Sequence, residues 1–119
     1  MPNLYGAPEI SAQEVKQTRQ NGETFVWLDV REPWETRKVQ VHDDVVLVVP
    51  LQEIAEKRLD AFPNIALDKN AEIVVQCHHG TRSAQVTAWL LQQGWTNVRS
   101  LAGGVAAWAE EVDPTIGKY

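Results

Sequence analysis

Several short runs of β-branched and aromatic residues constrain this chain more than any other feature: FVWLDV (25–30), VVLVV (45–49), EIVVQC (72–77) and the briefer NVRSL (97–101). The first three are apolar at consecutive positions. A strand with one face in water alternates apolar and polar residues, whereas a continuous run marks a strand covered on both faces. The segments between the runs read as helices. Ser11-Ala12-Gln13-Glu14 is a capping-box sequence, and the helix it opens should end near Asn21-Gly22. Arg31 to Val39 reads as a loop and short helix, with Pro33 in its first turn. Leu51, Ile54, Ala55, Leu59 and Phe62 recur at helical spacing, and Pro63 stops that helix. Val86, Trp89 and Leu90 mark one face of a helix between Ser83 and Gln93, with Gly94 as its C-terminal cap. Gly103-Gly104 turns the chain into a final helix whose inner face is Val105, Trp108, Ala109 and Val112.

Strands separated by helices predict an α/β fold: one domain over 1–119, with a central, mostly parallel sheet of about five strands and helices on both faces. In such sheets the functional crevice lies beyond the carboxyl ends of the strands. Asp29 and Cys77 both stand at such ends.

Composition narrows the function classes. The net charge of −5 argues against nucleic-acid binding, which calls for a basic face. The longest apolar run, Val45 to Leu51, contains Pro50 and is far too short to span a bilayer, so no membrane association is expected. Residues 1–6 lack a charged segment followed by an apolar run, so no signal peptide is expected. The single cysteine excludes an internal disulfide and fits a cytoplasmic protein.

That cysteine, Cys77, ends the third run and is followed by His78, His79, Gly80, Thr81, Arg82 and Ser83. A helix starting near Arg82 or Ser83 directs unsatisfied N–H groups back at the loop. Gly80 permits the tight backbone that curls the loop into a nest of donors. An anion inside that ring is favoured by hydrogen bonds and dipole together, so a thiolate at Cys77 becomes a nucleophile in a cationic bowl. Arg82 adds a fork of donors suited to oxyanions, and the histidines add donors or charge at the mouth. Four residues separate Cys77 from Arg82. Cysteine phosphatases and arsenate reductases use a spacing of five, so this narrower loop fits a sulfur on the cysteine better than a phosphate ester.

The surrounding residues resemble the single-domain rhodaneses, sulfurtransferases that carry a cysteine persulfide. WLDVREPWE (27–35) looks like that family's early signature, and VVQCHHGTRSA (74–84) like its active-site strand, loop and helix start. GWTNVRSLAGGVAAW (94–108) is similar to its closing signature, and His42 and Pro50 fall at the spacing of an intervening segment. The match covers about 8–112, leaving a tail at 113–119. It implies the three-layer rhodanese-like sandwich and a two-step reaction. Cys77 takes the sulfane sulfur of a donor such as thiosulfate, then passes it to cyanide, a thiol or a protein. It further implies catalytic roles for Cys77 and Arg82, and substrate contact for His78, His79, Gly80, Thr81 and Ser83, with no metal and no organic cofactor. The end WAEEVDPTIGKY (108–119) is similar to rhodanese modules joined to enzymes that activate sulfur-carrier proteins, which implies a sulfur-relay or sulfur-carrier partner. The sequence departs from the family at Asp43-Asp44, where a small turn is usual, and both carboxylates are expected to face solvent.

Plainer readings stand beside these. A lone cysteine is most often a small buried hydrophobe. Cys77, His78 and His79 are adjacent, and zinc ligands are normally spaced apart, so a metal site is not expected. Asp29, Arg31 and Glu32 could line the crevice, but a structural ion pair among such charges is at least an equal reading; Trp34, in a loop after a strand end, could wall the mouth. Leu101 to Gly104 reads as a packing turn near the site. The competing functions are a non-catalytic docking or regulatory module of the same family, and a cysteine phosphatase or arsenate reductase.

Overall fold

The computed structural model describes residue 3 and residues 5–118. Met1, Pro2, Leu4 and Tyr119 lie outside the described residues, and with them part of the 1–6 segment and the last residue of the tail.

Five strands form one parallel sheet in the order β1-β5-β4-β2-β3: β1 (Glu9–Ile10), β2 (Val26–Asp29), β3 (Val46–Val48), β4 (Ile73–Gln76) and β5 (Val98–Leu101). The central strands bury both faces, as continuous apolar runs require. Leu28, Val30, Ile73 and Val75 pack on one side with Ile54 of α3 (Leu51–Lys57) and with Val86 and Leu90 of α4 (Thr81–Gln92). Trp27 and Val74 face the other side, packing with Val15 of α1 (Ala12–Gln20) and with Val105 and Trp108 of α5 (Gly104–Glu111). The Trp27 and Trp108 rings meet edge to face at 5.2 Å. The short α2 (Pro33–Lys38) lies beyond the end of β2. The α1 capping box forms as read, with Ser11 and Glu14 each accepting the other's backbone N–H.

The structure corrects three expectations. The helix after Pro50 is α-helical only to Lys57; Arg58 takes φ +56°, and a 3-10 turn, Arg58–Ala61, completes the segment, leaving Ala55 exposed. The VVLVV run supplies an edge strand, so Val45 and Val48 stay exposed rather than covered. Asp43 does not simply face solvent: its carboxylate takes two hydrogen bonds from Arg19, at 2.8 and 3.1 Å, while Asp44 is exposed. The two-residue β1 was not among the runs read as strands, because two residues carry no periodicity.

Strand order places the site. From β2 the chain steps outward to β3, whereas from β4 it steps the opposite way to β5. The connections diverge between β2 and β4, the switch point at which a crevice opens in such sheets. A buried polar chain closes the sheet there. Asp29 is 1% exposed and Arg31 fully buried, and the guanidinium binds the carboxylate through Nε and Nη2, the latter at 2.8 Å. Gln76, paired with Asp29 across the strands, donates to Asp29 Oδ2 at 3.1 Å and accepts from Trp27 Nε1 at 2.8 Å. Every member has a partner, which a buried polar group requires. Removing one partner of a buried ion pair leaves the other charge uncompensated. Asp29→Ala should therefore cost about 3–5 kcal/mol of stability, read as a lower urea midpoint at unchanged slope.

Candidate active site

Cys77 follows β4 directly and is 1% exposed. Its Sγ accepts the Gly80 N–H at 3.1 Å and the Ser83 N–H at 3.3 Å. Gly80 caps α4 with φ +101°, a conformation that costs glycine nothing and that turns its N–H toward the sulfur. The sulfur thus sits at the N-terminus of a twelve-residue helix, where the helix dipole favours negative charge. Ser83 Oγ stands 3.4 Å from Sγ and 2.7 Å from Ser100 Oγ, so a buried hydroxyl chain runs from the thiol to β5. The helix begins at Thr81, one residue before the expected start, and Thr81 is exposed.

A second helix fixes the loop's outer side. The Val105 and Ala106 N–H groups at the start of α5 donate to the Cys77 and His78 carbonyls at 2.8 and 3.0 Å. Those carbonyls are thereby turned away from the sulfur. This approach needs Gly104: a Cβ there would stand 2.4 Å from the Cys77 carbonyl oxygen and 2.6 Å from that of His78, and its φ is +62°. The expected Leu101–Gly104 packing turn is therefore a wall of the site.

Arg82 is not presented to the loop as an isolated cation. Its two terminal nitrogens bind the two oxygens of Glu35, at 2.6 and 2.8 Å. Glu35 is 4% exposed and also accepts the Glu32 N–H at 3.1 Å, closing a capping box on α2. Its backbone carbonyl accepts from Arg31 Nη1 at 3.4 Å. The buried Asp29–Arg31 pair thus braces the helix that carries Arg82's partner. Glu35 was not among the candidate residues. Its signal was there, three residues after Glu32 at capping-box spacing, but nothing in the sequence joined it to Arg82. Trp34, beside it on α2, is 54% exposed. Ser100 was missed too, since its hydroxyl gains meaning only once β5 lies beside β4.

The His78 and His79 rings stack at 3.8 Å with 27° between planes. Burial lowers the His78 pKa from its ordinary 6.5; neighbouring His79, Arg31 and Arg82 push the same way, and Glu35 opposes them. His42 is elsewhere, its Nδ1 3.9 Å from Asp113 Oδ2 near the chain's end. Among the described residues no three His, Cys, Asp or Glu side chains group to hold a metal ion, and no helix is long and apolar enough to cross a membrane.

The chain that carries this sulfur matches a known family model, the rhodanese-like domain, over residues 11–111. The chain belongs to this rhodanese-like family. A sulfurtransferase of Allochromatium vinosum is 32% identical over 108 residues, 91% of this chain and 94% of that protein. A putative sulfur carrier protein of Bacillus subtilis, YrkF, is 33% identical over 93% of this chain and 56% of its own length. The chain spans only 25% of an Arabidopsis thaliana adenylyltransferase and sulfurtransferase, at 29% identity over 92% of this chain. Among solved structures, a rhodanese-related protein of Thermoplasma volcanium superposes with a TM-score of 0.70 at 28% identity, covering 88% of this chain and 93% of that one.

Two outcomes follow for this rhodanese-like loop. Gly104→Ala must place a methyl against two loop carbonyls at positive φ, and should destabilise the fold by about 1–3 kcal/mol, read by denaturant unfolding. His78 should titrate below 6.5 in a histidine NMR titration. The unfolded chain binds that proton more tightly, so the stability contributed by a neutral His78 is complete above 6.5 and is lost as pH falls through the folded value.

Proposed function

We propose that this rhodanese-like protein is a sulfurtransferase working through a Cys77 persulfide, with thiosulfate as one donor. The observation that carries the reading is the sulfur of Cys77 receiving two backbone N–H groups at the N-terminus of α4. In the first step the Cys77 thiolate attacks the outer sulfur of thiosulfate. A new S–S bond forms, the bond to the sulfonate sulfur breaks with its electron pair, and sulfite leaves. The Cys77 persulfide anion then lies within the donor ring, which stabilises charge without reorganising. In the second step a thiophile attacks the outer sulfur, and Cys77 returns as thiolate. Two half-reactions through one covalent intermediate give ping-pong kinetics.

The other loop residues take roles consistent with their geometry. Arg82, steadied by Glu35, holds positive charge at the rim against the donor's oxygens. Gly80 and Ser83 act through backbone N–H, and the Ser83 hydroxyl can turn its proton toward the sulfur when the thiol ionises. His78 and His79 line the mouth; Thr81 flanks it from the first turn of α4. Asp29 and Arg31 support the crevice from below, with Trp34 at its edge. The chemistry calls for no cofactor, and a free thiol nucleophile suits the reducing cytoplasm. Relatives described as a sulfur carrier and as adenylyltransferase/sulfurtransferases support a sulfur-relay partner.

Intact mass measurement after incubation with thiosulfate and other sulfane donors should show one added sulfur atom. Cys77→Ser should abolish the gain. Arg82→Ala should slow loading by thiosulfate at least tenfold, the loss of a charge-assisted contact of about 1.5–3 kcal/mol. No added sulfur with any donor, or Cys77-dependent hydrolysis of an aryl phosphate in its place, would sink the reading.

A further inference from the structure

A row of three polar atoms runs inward from the active-site sulfur. Cys77 Sγ stands 3.4 Å from Ser83 Oγ, and Ser83 Oγ stands 2.7 Å from Ser100 Oγ. Both serines are fully buried, and Cys77 is 1% exposed. The row crosses from the first turn of α4 to β5 and stops there. Among the described residues neither hydroxyl has another hydrogen-bond partner. Thr87, one turn further along α4, supplies none, for its own buried hydroxyl bonds nothing among the described residues.

The proton count favours a sulfur without a proton. Three atoms in line make two links. When Cys77 is a thiol, the three atoms carry one proton each, and either direction of the row leaves one proton with no acceptor. A buried donor left unmatched costs free energy. When the sulfur is bare, two protons serve two links: Ser100 donates to Ser83, and Ser83 donates to Sγ. Only that direction works, because a bare sulfur accepts and never donates. Ser100 fixes the direction from the far end. Its proton occupies the Ser83 oxygen and polarises the Ser83 O–H toward the sulfur. The row is no proton wire, since it ends at a residue with no exposed surface. A proton leaving the sulfur goes out on the loop side.

We propose that Ser100 is a positioning residue for the reaction. Acting only through Ser83, it holds an O–H on Cys77 Sγ in the two states in which that atom has no proton, the thiolate and the persulfide. The persulfide half of the inference rests on the sulfurtransferase reading; the thiolate half does not. In the thiolate the hydroxyl faces the charge on Sγ directly. In the persulfide the charge lies on the outer sulfur, and Sγ again only accepts. A side-chain donor thus joins the Gly80 and Ser83 N–H groups, and its direction is set from the sheet rather than from the loop.

The test is a double-mutant cycle of Ser83→Ala, Ser100→Ala and the two together, read first with no sulfur donor present. Iodoacetamide, which is uncharged, alkylates the thiolate of the lone cysteine, and its rate is followed from about pH 5 to about pH 10. Ser83→Ala should lower the rate on the rising limb about three- to tenfold, the scale of one hydrogen bond, and leave the high-pH plateau unchanged. Ser100→Ala should lower it about twofold when Ser83 is present, and not at all beside Ser83→Ala. The charged groups around the loop, His78, His79, the Arg82–Glu35 pair and the Asp29–Arg31 pair, are the same in every variant. A packing role for Ser100 would carry the same loss into both backgrounds. That outcome, or no loss with Ser83 present, overturns the proposal. The same proteins are then loaded with thiosulfate and the loading rate is read by mass. The losses should again be non-additive, and additive losses overturn the persulfide half. If no donor loads Cys77, the sulfurtransferase reading fails on its own, and the alkylation cycle alone decides the role of Ser100.

Discussion

Two charges removed from water hold this molecule's functional edge together. Asp29 and Arg31 lie where β2 ends, both shielded from solvent, with Gln76 of β4 bonded to the carboxylate and Trp27 bonded to Gln76. A buried pair like this gives little net stability, but losing either partner is expensive. Its effect is therefore to restrict alternatives. It ties β2 to β4 at the point where the chain's connections diverge, and it aims the chain into α2 by bonding the Glu35 carbonyl. Everything above it inherits that geometry: Glu35 reaches Arg82, and Arg82 sits in the first turn of the helix that faces the sulfur.

The loop itself is shaped by two helix N-termini working on opposite faces. The start of α4 gives N–H donors to the sulfur, and the start of α5 gives N–H donors to the loop carbonyls. Each end has unsatisfied donors to offer. Together they sort the loop's peptide groups, with donors inward and acceptors outward. The inward donors favour negative charge on the sulfur even in a chain whose net charge is −5. Glycine is required at both starts, at Gly80 for its positive φ and at Gly104 because no side chain fits beneath the carbonyls.

Particular residues show how far the sequence could be read. The continuous runs around Trp27 and Val74 announced strands covered on both sides, and the packing of Trp27 and Leu28 on opposite faces is the direct result. Cys77 was legible because a strand end, a glycine and a helix start are local features. Glu35 was not, since its partner lies 47 positions away and only the sheet order joins them. Ser100 was hidden for the same reason. The edge position of β3 was hidden as well: VVLVV has the composition of a buried strand, and nothing local says that no strand pairs beyond it.

By itself, then, the sequence determined the α/β layering, the helix caps and the strand–loop–helix unit that carries Cys77. All of these rest on contacts between residues a few positions apart. Only the tertiary structure decided which charges meet. It matched Arg82 with Glu35 and buried Asp29 against Arg31. The reason is physical: backbone periodicity is written locally, whereas the pairing of charges depends on strand order, which brings distant segments within hydrogen-bond reach.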